Sequence, residues 1–246
     1  MSQAANAELR TAQEIIRATS VNQSPNGICY ATAGELTLPA GELEKMIAAV
    51  PRSIAAALDR KAYYFVPLTV SDGDKTLIAE RYDSALSDQA ICHRNIDSGD
   101  AQCVFISTRI LDDKFAVAFE FYTNVAHPFV DKAGISPEFA ELVWKQAADR
   151  VRGETSLDAF EFRKQAFGER GRVDEKAKTE YASAAFSDAI AIYILSLYVD
   201  VEYIDLREPG YPLLAPSALA ERLKKVAQIF PPNPGSEFHV YYRRTV

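Results

Sequence analysis

The chain holds three histidines, His93, His127 and His239, and three cysteines, Cys29, Cys92 and Cys103. With so few imidazoles, a zinc centre would have to complete its ligand set with carboxylate oxygens. His127 lies in the run Thr123-Asn124-Val125-Ala126-His127-Pro128-Phe129-Val130-Asp131. If that run is helical, His127 and Asp131 stand one turn apart on one face, the spacing at which two side chains share a ligand. Further along, Glu180 opens the alanine-rich stretch Glu180-Tyr181-Ala182-Ser183-Ala184-Ala185-Phe186. One imidazole and two carboxylates make a weak metal site. Each residue also has a plain structural role, His127 at a helix end and Glu180 as a first-turn charge favoured by the helix dipole.

Other chemistry is less well supported. Cys92 and His93 are adjacent, and neighbours on a strand face opposite ways, so they form no thiol–imidazole dyad by themselves. Cys29 could meet His93 or His127 only through the fold, and burial as a core thiol is the ordinary fate of such a residue. Asp72/Asp74, Asp97/Asp100 and Asp112/Asp113 are turn acids, whereas calcium needs a longer loop ending in a bidentate carboxylate. Lys224-Lys225 and Arg243-Arg244 are too short to make a basic stripe. The chain contains no G-x-G-x-x-G, no G-x-x-x-x-G-K-[ST], no G-x-S-x-G and no C-x-x-C, so the standard loops for nucleotides and acyl transfer are missing.

The order of these residues resembles a known family. A strand, then a segment carrying His127, then a later helix opened by Glu180 is similar to the zincin metallopeptidases, in particular the gluzincin branch with the lethal-factor-type proteases. In that family an edge strand precedes a helix bearing H-E-x-x-H, and a later helix supplies a glutamate in a pattern like E-x-x-A-x-x-F. The resemblance covers about residues 100–215. It implies a zincin-like fold, with His127 at the first histidine, Asp131 at the second and Glu180 at the glutamate ligand. Pro128 stands where the family has the glutamate that takes a proton from zinc-bound water, and Asp131 replaces a histidine. The resemblance therefore implies no catalytic residues and no cofactor of established need, with zinc at most a structural ion. The expected function is a non-catalytic binding or interaction module, a pseudo-enzyme, with a protein or peptide partner. The rivals are a metal-dependent hydrolase with an atypical His/Asp/Glu site, and a structural or interaction protein of an unrelated α+β fold.

The elements that must position these residues follow from composition and pattern. The 246 residues are 48% hydrophobic and 25% charged, with a formal charge of −7. That is an ordinary globular balance, long enough for a full core, and it predicts one domain over residues 1–246. The acidic surface argues against a nucleic-acid partner. The N-terminal stretch lacks the apolar core of a secretory signal. Polar residues also interrupt the richest apolar run, Ala182–Val201, so no membrane span is expected and that run reads as a core helix. An odd, sparse set of cysteines points to a reducing, cytoplasmic setting, with Cys92 and Cys103 pairing only in an oxidising one.

Along the chain, helices are expected over 5–19, 42–50, 51–60, 136–151, 155–167, 179–198 and 217–229, and strands over 28–32, 63–70, 76–82 and 237–243. A hairpin is expected from Gln102–Ile110, the turn Leu111-Asp112-Asp113-Lys114 and Phe115–Tyr122, with Phe115, Val117, Phe119 and Phe121 on the buried face. Pro128 would then force the next helix to begin near His127. Strands gather in the first half and helices in the second. The expected class is α+β, a small mixed or antiparallel sheet packed on a largely helical C-terminal half.

Overall fold

The computed structural model describes residues 8–73, 75–109, 113–168 and 172–240. The fold is α+β, as the segregation of strands and helices implies. Its contacts divide the chain into two compact units. The first runs to Ala48 and resumes from Leu58 to Asn124; the second comprises Ala49–Ala57 and the chain from Val125 onward.

Among the described residues, the first unit holds two sheets. One contains β1 (Leu9–Thr11), β5 (Leu68–Asp72), β6 (Lys75–Ala79) and β7 (Ala90–Ile91), in the order β1-β6-β5-β7 and antiparallel throughout. The other contains β2 (Asn22–Gln23), β3 (Cys29–Thr32), β4 (Lys61–Val66), β8 (His93–Ser98) and β9 (Ala101–Ser107), in the order β2-β3-β4-β9-β8. Within it β3, β4 and β9 are parallel, and β8 closes one edge antiparallel to β9. Parallel strands need cover on both faces, and β4 carries four successive buried residues, Tyr63, Tyr64, Phe65 and Val66. Tyr64 and Val66 join Ala31, Cys103 and Phe105 against Ala12 and Ile15 of helix α1 (Ala12–Ala18). Tyr63 and Phe65 face the other way, each edge-on to Phe121, at 5.0 and 5.5 Å between ring centres.

The run expected as one strand over 63–70 is two, in different sheets, because Pro67 offers no N–H to a ladder. Ser107 ties them together: its hydroxyl accepts from Thr69 N–H (2.8 Å) and donates to the Ile91 carbonyl (2.6 Å).

The expected hairpin is overturned. Its first strand exists as β9, but Phe115–Tyr122 is helical and belongs to α4 (Lys114–Ala133). The run FAVAFEFY satisfies a two-residue period locally, and its continuation decides the matter. The buried positions are Val117, Ala118, Phe121, Tyr122, Val125, Ala126, Phe129 and Val130, a stripe of helical period. Phe115 and Phe119 instead pair along the helix surface, one turn apart at 6.3 Å. Residues 110–112 of the expected turn lie outside the described residues; Asp113 starts the helix by accepting the Phe115 N–H at 2.9 Å.

The expectation that Pro128 begins a helix also fails, since it sits well inside α4. Proline removes the hydrogen bond to the carbonyl four residues back, here that of Asn124. The buried Tyr63 hydroxyl donates to that carbonyl at 3.2 Å, so the orphaned acceptor is satisfied and the helix continues.

The second unit is helical: α3 (Arg52–Ala55), α5 (Pro137–Ala148), α6 (Leu157–Ala166), α7 (Glu175–Tyr198) and α8 (Pro216–Ile229), with the later turns of α4. Helix α2 (Ala40–Ala48) belongs to the first unit. Asn233 fastens the Ala49–Ala57 segment, its amide donating to the Val50 carbonyl (2.8 Å) and accepting from Arg52 N–H (3.0 Å). Helix α7 begins one turn before the expected Thr179, because Asp174 caps it by accepting from Lys176 and Ala177 N–H. By length and composition it could cross a membrane, but 67% of its most apolar window is buried inside the protein. Ile192, Tyr193, Ile194 and Leu195 are consecutive and all buried, so this turn of the helix is enclosed on every side. The final expected strand is absent over 237–240, and its remaining residues lie outside the described ones.

Ile194 is fully buried at the centre of this unit. Replacing it by alanine is expected to cost about 2–5 kcal/mol, read from denaturant unfolding; a loss under about 1 kcal/mol would place α7 at the periphery.

Candidate functional site

The polar chemistry of the second unit starts from one carboxylate. Glu154 has no exposed surface. It lies on a short extended strap where Gly153, at φ +84°, lets the chain run against Leu213; a Cβ on that glycine would stand 2.2 Å from the Leu213 carbonyl oxygen. The strap is sealed by Glu154 N–H to the Pro212 carbonyl (3.0 Å) and Leu214 N–H to the Glu154 carbonyl (2.9 Å). The Glu154 side chain receives Arg163 at 2.9 Å and the Tyr181 hydroxyl at 2.6 Å on Oε1, and Arg222 at 2.8 Å on Oε2.

Arg222 is also fully buried. Its Nε donates to the Gln146 side-chain amide oxygen, Oε1, at 2.9 Å and its other terminal nitrogen to the Tyr181 hydroxyl at 3.1 Å. Burial alone would discourage its charge, but Glu154 and Tyr181 more than offset that and hold its pKa above the ordinary value. Burial pushes Tyr181 up as well, so it stays a neutral donor. Arg163 is held further by the Gly153 carbonyl at 3.0 Å.

This network fixes the next residues of the strap. The Thr155 hydroxyl donates to Asp188 of α7 at 2.8 Å, and the Thr155 carbonyl accepts the Tyr211 hydroxyl at 3.2 Å. Ser156 caps α6 through Ala159 N–H at 3.1 Å. Burial raises the Asp188 carboxyl to about 6, while the Ser156 and Thr155 hydroxyls and the charges of His127 and Arg222 pull it down.

Asp188 lies on α7, as does Glu180. Glu180 lies eight residues earlier on the same helix, about 12 Å along its axis, and is exposed. His127 and Asp131 are exposed too, one turn apart on α4. The three residues expected as a metal set do not come together as one. Among the described residues no group of three or more His, Cys, Asp or Glu side chains is placed to hold a metal ion.

The remaining histidines have other companions. His93 Nδ1 meets Glu120 of α4 at 2.5 Å, and Asn124 donates to the same carboxylate oxygen at 3.1 Å; this hydrogen bond raises the His93 pKa. His239 lies beside Glu237 at 2.8 Å. The three cysteines are free. Strand register puts Cys103 opposite Ile96, while the Cys92 carbonyl receives Ser107 N–H, so the two thiols are not cross-strand neighbours. Burial and the nearby Glu120 charge raise the Cys92 pKa, which keeps it a thiol rather than a nucleophilic thiolate.

Sequence reasoning passed over Glu154, Arg222 and Asp188. A signal existed for two of them. Arg222 interrupts the apolar stripe Ala218, Leu219, Leu223 and Val226 of α8, and Asp188 interrupts the buried run of α7. A charge in such a stripe announces a buried partner. No family model, curated protein or solved structure matches the chain.

Because its folded pKa is raised, Asp188 binds its proton more tightly folded than unfolded. The associated stability is complete below the unfolded value of about 3.9 and is lost as pH rises through about 6. Against Asp188→Asn, the wild type is expected to lose stability steadily between about pH 4 and pH 6 and then level off. Urea unfolding of both proteins across that range checks this; a difference independent of pH, or one growing in the opposite sense, contradicts it.

Proposed function

We propose that this chain is a non-catalytic, zincin-like binding module with a protein or peptide partner. Two features support the zincin-like layout. The antiparallel edge strand β8 and its neighbour β9 precede the helix that carries His127. A later helix, α7, follows it in the chain and carries a carboxylate, Asp188, in addition to Glu180.

The observation that carries the non-catalytic reading is the engagement of that carboxylate. Asp188 is hydrogen-bonded to Thr155 at 2.8 Å, and among the described residues no group of three or more His, Cys, Asp or Glu side chains is placed to hold a metal ion. Zinc hydrolysis needs three protein ligands, an open position and a base for the bound water. Pro128 cannot be that base, and Asp131 and Glu180 point to solvent. The residues present do not fit a catalytic zinc.

The exposed strand β8 suits a binding role. It ends the sheet, and its outer row of backbone groups can pair with an extended segment of a partner.

The test is a peptidase assay with added zinc on the wild type and on His127→Ala and Asp188→Ala. No zinc-stimulated cleavage is expected from any of them. Zinc-stimulated turnover abolished by both substitutions would overturn the reading in favour of a metal-dependent hydrolase.

A further inference from the structure

Beside the Glu154 strap lies a cavity of about 480 Å³ that the binding-module reading does not use. That volume is within the range of pockets that hold small ligands. The cavity is lined by Arg152 and by Pro212, Leu213 and Ala215, and Ala215 N–H donates to the Arg152 carbonyl at 3.0 Å, so part of the wall is hydrogen-bonded backbone. Two tyrosines line it with their hydroxyls already committed. Tyr203 donates to the Leu214 carbonyl at 2.8 Å, and Tyr211 to the Thr155 carbonyl and the Glu208 carboxylate, each at 3.2 Å. What they offer a ligand is ring surface, extended by Pro212 and Pro216.

The charges are Arg152, Arg207 and Glu208. Glu208 is occupied by Tyr211. The Arg207 guanidinium sits 6.0 Å from the Tyr203 ring centre. Among the described residues neither guanidinium has a carboxylate within ion-pair distance, although the chain as a whole carries a charge of −7. Two guanidinium forks among the lining residues of an aromatic-walled cavity match a planar or tetrahedral oxyanion, which such forks bind through paired N–H groups.

We propose that this cavity binds a small organic anion, a carboxylate or phosphate monoester carried on a flat apolar body. The oxyanion meets Arg152 and Arg207, and the body lies against Tyr203, Tyr211 and the two prolines. The assignment stands apart from the zincin-like reading and survives or fails without it.

Calorimetric titration at low salt tests it, with phenyl phosphate and benzoate as anionic probes and benzyl alcohol as the neutral analogue. Saturable binding of at least one anion is expected, with the alcohol weaker by about tenfold or more. A tighter phosphate identifies a phosphate monoester as the natural class, and a tighter benzoate a carboxylate. The double substitution Arg152→Gln/Arg207→Gln is expected to lower anion affinity by about tenfold or more at unchanged melting temperature, since both side chains are exposed. Arg207→Lys, which keeps the charge and loses the fork, should fall between wild type and double variant, and it carries the test if the double variant folds poorly. No saturable binding of either anion, equal binding of the alcohol, or full affinity in the arginine variants would overturn the proposal.

Discussion

A carboxylate sealed from water cannot remain charged without partners, and Glu154 has three: Arg163, Arg222 and the Tyr181 hydroxyl. Taking such a group out of water costs several kcal/mol, which only close, fully hydrogen-bonded geometry repays. The cost explains the spacing of the surroundings. Arg222 itself needs Gln146 and Tyr181, and Gln146 reaches on to the Ala218 carbonyl at 3.2 Å. Residues from α5, α6, α7, α8 and the strap are thus brought to one point, and the packing of the second unit has a single register about it. Thr155, next in the chain, has no freedom to choose its partner, and through it Asp188 and Tyr211 are placed.

The first unit solves a different problem with apolar means. Parallel strands expose two faces, and the residues of β4 alternate their aromatic rings between α1 on one side and α4 on the other. Where polarity must be met inside this core, it is met locally. Tyr63 supplies the hydrogen bond that Pro128 removes from α4, and the Ser107 hydroxyl links β9 to β5 and β7 through Thr69 N–H and the Ile91 carbonyl. A proline inside the helix that carries His127 is therefore tolerated because a tyrosine of β4, far earlier in the chain, satisfies the freed carbonyl.

Much of the helical unit could be read in the sequence, because Ser136-Pro137, Ser156 and the run from Ala182 announce helices by capping and period. The strands over 28–32 and 102–107 were legible for a similar local reason. The segment 115–122 was not, since eight alternating apolar residues fit a strand as well as a helix and only the buried residues beyond them decide. The split at Pro67 depends on which sheet each half joins, which is a property of the fold. The expected set His127, Asp131 and Glu180 came from local spacing alone, and whether side chains of α4 and α7 meet is decided by the fold; all three are exposed. The Glu154 centre joins residues 146, 154, 163, 181 and 222, and no short window of sequence contains it.

The claim that this buried centre organises the second unit is tested most directly by a double-mutant cycle on Glu154→Gln and Arg222→Met, read by equilibrium unfolding. Each single change leaves a buried charge with its main partner gone, and about 3–5 kcal/mol is expected for each. The double variant should cost far less than the sum, with a coupling energy above about 1.5 kcal/mol. Additive effects, to within about 0.5 kcal/mol, would show that the two side chains are independent and that something else holds the unit in register.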